Sequence, residues 1–217
     1  MLNNIFLVLT VAILGLPAGS ALAGAVTDDT IQSIKVGDIG GIKDGLRRGL
    51  DANYADESGN SLLMHAVRSG SLEAVTLLIN AGAKVYPVNR FGDSALLLAS
   101  FGGYGQIAEL LMSKGASLGP NPKGWTPLHY VAYAGHVELA ATLIKAGAII
   151  DAQTENGLTA LMIASRNGHI DVARILLTNR ANTQLKDESQ RNAVMHALAK
   201  KNTDIAALLN TPQTKNQ

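Results

Sequence analysis

Residues 123–148 read KGWTPLHYVAYAGHVELAATLIKAGA, and the order of polar caps, apolar residues and glycines in this stretch decides the fold. Thr126 is a helix-capping residue type, because its side-chain oxygen can accept from a backbone N–H left orphaned in the first turn. Pro127 follows at the first helical position, the one place where a helix tolerates proline. Gly135 then supplies a left-handed helix end at little steric cost. A second apolar helix carrying Leu143-Ile144 runs on to Gly147. The segment predicts helix, tight turn, helix, loop.

Three further stretches align with it without gaps: SGNSLLMHAVRSGSLEAVTLLINAGA (58–83), FGDSALLLASFGGYGQIAELLMSKGA (91–116) and NGLTALMIASRNGHIDVARILLTNRA (156–181). The first glycines, Gly59, Gly92, Gly124 and Gly157, recur at intervals of 33, 32 and 33 residues, and the missing residue falls in the 118–122 loop. Ser61, Ser94 and Thr159 take the capping position. Gly70, Gly103 and Gly168 end the first helices, and Gly82 and Gly115 end the second, with Arg180 the exception. Two divergent units flank the four, as end repeats must present one face to water. Upstream, Asp28, Gly37 and Gly49 stand at cap and terminator positions; downstream, Asn192 follows Thr159 by 33 residues and Lys201 replaces the helix-ending glycine.

Gly124-Trp125-Thr126-Pro127-Leu128-His129, Ala132, Gly135-His136 and Ala146-Gly147-Ala148 resemble the ankyrin-repeat motif. The period and the TPLH signature are those of that family. The other units depart mildly, reading SLLM, SALL and TALM. The resemblance spans about residues 25–212 and implies an all-α solenoid of about six helix-turn-helix units with short hairpin loops. The expected units lie near 26–57, 58–90, 91–122, 123–155, 156–188 and 189–211 within a repeat domain of residues 24–211, followed by a disordered tail at 212–217.

The first 23 residues have a different character. They carry no charged side chain, and the apolar run Ile5 to Leu16 is followed by Pro17 and by Ala21-Leu22-Ala23. A short apolar core before an A-x-A site is the pattern of a signal peptide, with cleavage expected after Ala23. Twelve apolar residues give about 18 Å of helix against a bilayer core of roughly 30 Å. No stable membrane span is expected after cleavage. The expected destination is the bacterial periplasm, or secretion.

Composition narrows the chemistry. The 217-residue chain holds 18 basic and 17 acidic residues for a net charge of +1, so the broad electrostatic drive for nucleic-acid binding is missing. It has no cysteine, which excludes disulfides, thiolate zinc sites and cysteine nucleophiles. By resemblance, the TPLH histidine bonds backbone in neighbouring turns and the Gly-His histidine lies in the inter-helix turn. His129, His136 and His169 match those positions, while His65 and His196 lie one place beyond the TPLH slot. No HExxH motif or metal-ligand spacing is present, no GxSxG elbow surrounds Ser61 or Ser94, and Gly102-Gly103-Tyr104-Gly105 lacks a P-loop lysine. Asp56-Glu57 and Asp187-Glu188 read as solvated loop residues, and Arg47-Arg48 and Lys200-Lys201 as solubilising ends. No catalytic residue, metal or cofactor is expected.

The resemblance implies a non-enzymatic protein-binding module whose contact positions lie beside the first glycine of each unit and near the end of its first helix. Four of the eight aromatics beyond residue 23 fall on those positions: Phe91, Phe101, Trp125 and Tyr133. With Arg90, Lys123 and Arg166 around them, they have the composition of a binding hot spot for a protein partner. Mutual packing of neighbouring units, with Trp125 covering the shortened 118–123 loop, is the alternative reading of the same rings. The chain is expected to be a monomer. Exported bacterial proteins of this type also suggest two roles, support of a catalase in oxidative-stress protection and immunity against a secreted toxin.

Overall fold

The computed structural model describes residues 18–210; most of the expected signal segment and the 212–217 tail lie outside them. Among the described residues there are helices and no strands. The chain opens with α1 (Ala18–Val36) and α2 (Ile39–Arg47), followed by the hairpins α3 (Leu62–Arg68) with α4 (Leu72–Asn80) and α5 (Ala95–Gly102) with α6 (Gly105–Ser113). Then come α7 (Pro127–Ala134) with α8 (Val137–Lys145), α9 (Ala160–Asn167) with α10 (Ile170–Thr178), and α11 (Ala193–Ala199) with α12 (Thr203–Asn210). Helices α3, α5, α7, α9 and α11 pack in sequence as one layer, and α4, α6, α8, α10 and α12 as the other. The fold is an all-α helix-turn-helix solenoid.

Local chemistry explains why the hairpins start and stop where they do. Ser61, Ser94, Thr126, Thr159 and Asn192 each occupy an N-cap with extended backbone and accept a hydrogen bond from the N–H three residues on. This satisfies a donor that the helix itself cannot. The glycines that follow the first helices, Gly70, Gly103, Gly135 and Gly168, have φ of 70°, 73°, 85° and 84°. The same left-handed geometry is imposed on three residues with side chains: Arg180 (φ 67°), Gln190 (φ 60°) and Lys201 (φ 63°). Each stands where the other units carry glycine.

The core is a ladder of equivalent leucines. Leu63, Leu96, Leu128 and Leu161 stack along the inner layer, and Leu78, Leu111, Leu143 and Leu176 along the outer, all of them buried. Truncating any one of them to alanine is a change of about 2–5 kcal/mol.

The first unit departs from expectation. Asp28 is not a cap: it lies inside the 19-residue α1 and is exposed. Gly37 and Gly49 do take left-handed conformations, with φ of 75° and 90°. Arg47 and Arg48 both reach Asp44, at 3.6 and 3.8 Å, on an exposed helix end.

Candidate functional site

The aromatic strip is planted by a repeated asparagine turn. The Oδ1 of Asn89 accepts from the N–H groups of Phe91 and Asp93, both at 2.9 Å. One unit later, the Oδ1 of Asn121 accepts from Lys123 at 2.9 Å and Trp125 at 3.0 Å. The turns are also stacked on each other, since the Arg90 N–H donates to the Ser58 carbonyl at 2.9 Å and the Glu155 N–H to the Lys123 carbonyl at 3.2 Å. Four side chains at two loop tips are thus set by backbone geometry before any ring meets another.

The helices contribute the remaining rings. Phe101 ends α5, and Tyr130 and Tyr133 lie one turn apart on α7. Phe101 stacks on Tyr133 with centroids 6.2 Å apart and meets Tyr130 edge-on at 6.2 Å. Trp125 lies 5.2 Å from Tyr130 and 6.2 Å from Tyr133. The interplanar angles run from 27° to 88°, so the pairs range from stacked through tilted to edge-to-face.

Phe91, Phe101, Lys123, Trp125 and Tyr133 line one groove of about 460 Å³, together with Asp93, Asn121 and Tyr130. Phe91, Phe101 and Tyr133 are 68%, 51% and 43% exposed. Trp125 is half-buried against the core, so it both packs and faces the groove. Arg90 and Arg166 do not line the groove. Arg90 is exposed at its turn, and the half-buried Arg166 guanidinium donates to Asn167 Oδ1 at 3.4 Å.

Tyr130 is the residue that sequence reasoning missed. Its hydroxyl donates to Asp93 Oδ1 at 3.0 Å and accepts from Asn121 Nδ2 at 3.4 Å. Burial, followed by the Asp93 charge and hydrogen bond, pushes the phenol up to about 12, so it stays protonated and keeps donating. The available signal was its spacing: Tyr130 precedes Tyr133 by three residues, which puts both on one helix face.

The histidines hold units together. His129 Nδ1 accepts from the Thr126 N–H at 3.0 Å, while its Nε2–H donates to the carbonyls of Ala152 (3.0 Å) and Leu158 (3.1 Å) in the next loop. The proton is placed on Nε2 because a carbonyl can only accept. Burial holds this imidazole down at about 4, against partial opposition from those two carbonyls. His136 donates to the Phe101 carbonyl and His169 to the Tyr133 carbonyl, each at 3.0 Å. Both carbonyls belong to groove residues.

His65 and His196 share the slot of Tyr130 and do something different from the other three. Each lies 2.9 Å from a loop carboxylate nine residues earlier, Asp56 and Asp187. The expectation of solvated acids therefore fails for both. Asp187 is buried, and Arg191 and His196 share its Oδ2. A loop acid in this slot is drawn inward because its Oδ1 closes the turn on the backbone N–H of Arg191 at 2.9 Å. Among the described residues no group of three or more His, Asp or Glu side chains could hold a metal ion, and no helix is long and apolar enough to cross a membrane.

The family described as Ankyrin repeats (3 copies) matches the sequence over residues 32–121, 63–154, 117–187 and 147–216. These overlapping matches run through all but the first part of the chain, and the caps, left-handed glycines and stacked turns give the match its physical basis. The chain belongs to the ankyrin-repeat family. Ankyrin repeats are protein–protein interaction modules, typically without enzymatic activity. No curated protein matches the sequence.

Proposed function

We propose that the protein is an exported bacterial binding module that grips a protein partner through the Phe91–Phe101–Trp125–Tyr133 strip. The observation that carries this reading is the convergence of these rings on one groove while three of them remain more than 40% exposed. Exposed apolar area gathered into one patch marks an interaction surface, whereas scattered apolar residues do not. Rigid rings bury much area for little lost side-chain entropy, and Lys123 gives the rim the polar character of an interface edge. Export rests on the apolar run Ile5 to Leu16 followed by the Ala21-Leu22-Ala23 site.

Crosslinking and affinity capture from the cell-envelope fraction test both parts. The wild type should capture a protein that a folded Phe91→Ala, Trp125→Ala double variant loses. Equal capture by the two would move the interface off the strip. N-terminal sequencing of the protein recovered from that fraction should begin at Gly24, and an intact Met1 would remove the export reading.

A further inference from the structure

Resting on that reading, we propose that the groove is an arginine box: Asp93 and the rings of Phe101, Trp125, Tyr130 and Tyr133 receive the guanidinium of an arginine side chain carried by the partner polypeptide. The rings supply the first half of the argument. Four aromatics with centroids 5.2–6.2 Å apart line one groove, and the negative faces of such rings attract a cation.

Asp93 supplies the second half and selects among cations. This half-buried carboxylate lines both the groove and the adjoining hollow that holds Arg68. Its Oδ1 takes the Tyr130 hydroxyl. Among the described residues its Oδ2 accepts no hydrogen bond, and neither Arg68 nor Lys123 forms an ion pair with it. A neutral apolar occupant would strip water from that oxygen and return nothing, which costs free energy. A quaternary ammonium would satisfy the rings but has no N–H to donate. A guanidinium is flat enough to stack, is charged at every working pH and presents five N–H donors in a fixed fork. Lys123, exposed on the rim, opposes any cation weakly and so provides a test of sign.

Trp125 is the only tryptophan in the chain, so its emission reports the groove directly. The full-length protein is titrated with an end-blocked Gly-Gly-Arg-Gly-Gly peptide, with the same peptide carrying citrulline, which keeps the shape but not the charge, and with one carrying glutamate. The arginine peptide should shift Trp125 emission saturably and bind about tenfold more tightly than the citrulline peptide. Asp93→Asn, which still accepts from Tyr130, should abolish that preference. Lys123→Gln should tighten the arginine peptide by roughly twofold, the size of effect expected of one exposed charge.

Equal binding of the arginine and citrulline peptides, or no response to either, overturns the proposal. Tighter glutamate binding, or weakening by Lys123→Gln, overturns it in favour of an acidic occupant. Choline binding as tight as the arginine peptide and indifferent to Asp93→Asn overturns it in favour of a quaternary ammonium. Partner capture that depends on Trp125 but survives Asp93→Asn would leave the strip as the interface and remove arginine as its occupant. Thermal melting of each variant confirms that it is folded before it is scored.

Discussion

His196 Nε2 and Asp187 Oδ2 lie 2.9 Å apart with side chains 2% and 3% exposed, a buried hydrogen-bonded pair at the C-terminal end of the solenoid. Burial lowers the His196 pKa, against opposition from the Asp187 hydrogen bond. Burial alone would raise Asp187, but hydrogen bonds from Arg191 and His196 outweigh it and hold the carboxyl below its ordinary value. The pair is therefore a neutral imidazole donating to a carboxylate.

Both shifts make acid destabilising. The unfolded chain takes up the His196 proton near 6.5, before the folded chain does, so stability falls as pH drops below that value. Asp187 contributes fully above 3.8 and loses its contribution as pH falls through its lower folded value. His129, held at about 4, adds a loss of about 3 kcal/mol between about pH 6.5 and pH 4. Urea midpoints measured from about pH 7 down to about pH 4 should fall steadily. A flat profile would mean that these histidines are hydrated in solution.

Removing the shared acceptor should be costly. Asp187→Ala strips Arg191 and His196 of their common partner and opens the turn, a loss of about 3 kcal/mol. Asp187→Asn should cost less, because its amide oxygen can still accept from the Arg191 backbone. Denaturant titration of the two variants gives the comparison.

Left-handed positions separate conformational strain from collision. Gly147 and Gly124 have φ of 95° and 76°, but a Cβ at Gly147 meets nothing within 4 Å, whereas at Gly124 it would lie 2.8 Å from the Thr154 Cα and the Glu155 N. Gly147→Ala should cost about 1 kcal/mol and Gly124→Ala about 1–3 kcal/mol more. In the opposite direction, Lys201→Gly and Arg180→Gly should each stabilise by up to about 1 kcal/mol. Melting temperatures read all four changes.

Ser100 and Ser165 are fully buried, and neither hydroxyl has a hydrogen-bond partner. Ala132 occupies the equivalent place in the intervening unit, also fully buried. Ser165→Ala should therefore be neutral or stabilising by about 1 kcal/mol, since it removes an unsatisfied polar atom without opening a cavity of consequence. A clear loss of stability would show that the hydroxyl has a partner in solution.

The Thr126 hydroxyl accepts from the His129 N–H while His129 Nδ1 accepts from the Thr126 N–H at 3.0 Å, forming a capping box at the start of α7. Thr126→Ala should cost about 1–2 kcal/mol, and Thr126→Ser should restore most of it. Equal stability of the two variants would assign the loss to the methyl group instead of the cap.

The residues most legible in the sequence are those whose backbone geometry admits few residue types. Thr126 at a cap, Pro127 at the first helical turn and Gly135 at a left-handed end each announce a conformation by identity alone. Arg180 and Lys201 were readable as glycine substitutes only because the period located them. Asp28 misled because a capping residue type also stands within an exposed stretch of helix. Asp187 was obscured by its neighbour Glu188, and its partner His196 lies nine residues away across the turn. Tyr130 was hidden by variety in its slot, which holds Leu98 and Ile163 in adjacent units and His65 and His196 in two others. A register that repeats backbone need not repeat chemistry.

The bonds from His136 to the Phe101 carbonyl and from His169 to the Tyr133 carbonyl act on main chain, not on rings. Phe101 and Tyr133 are each rooted in a peptide unit that the following repeat already holds fast. The tooth can be changed while the socket stays put: replacing Tyr133 with any residue that tolerates a helix end leaves its anchor unaltered. Side-chain identity at these two positions is thereby uncoupled from the hold on their backbone, so the lining of the groove can be rewritten there one side chain at a time.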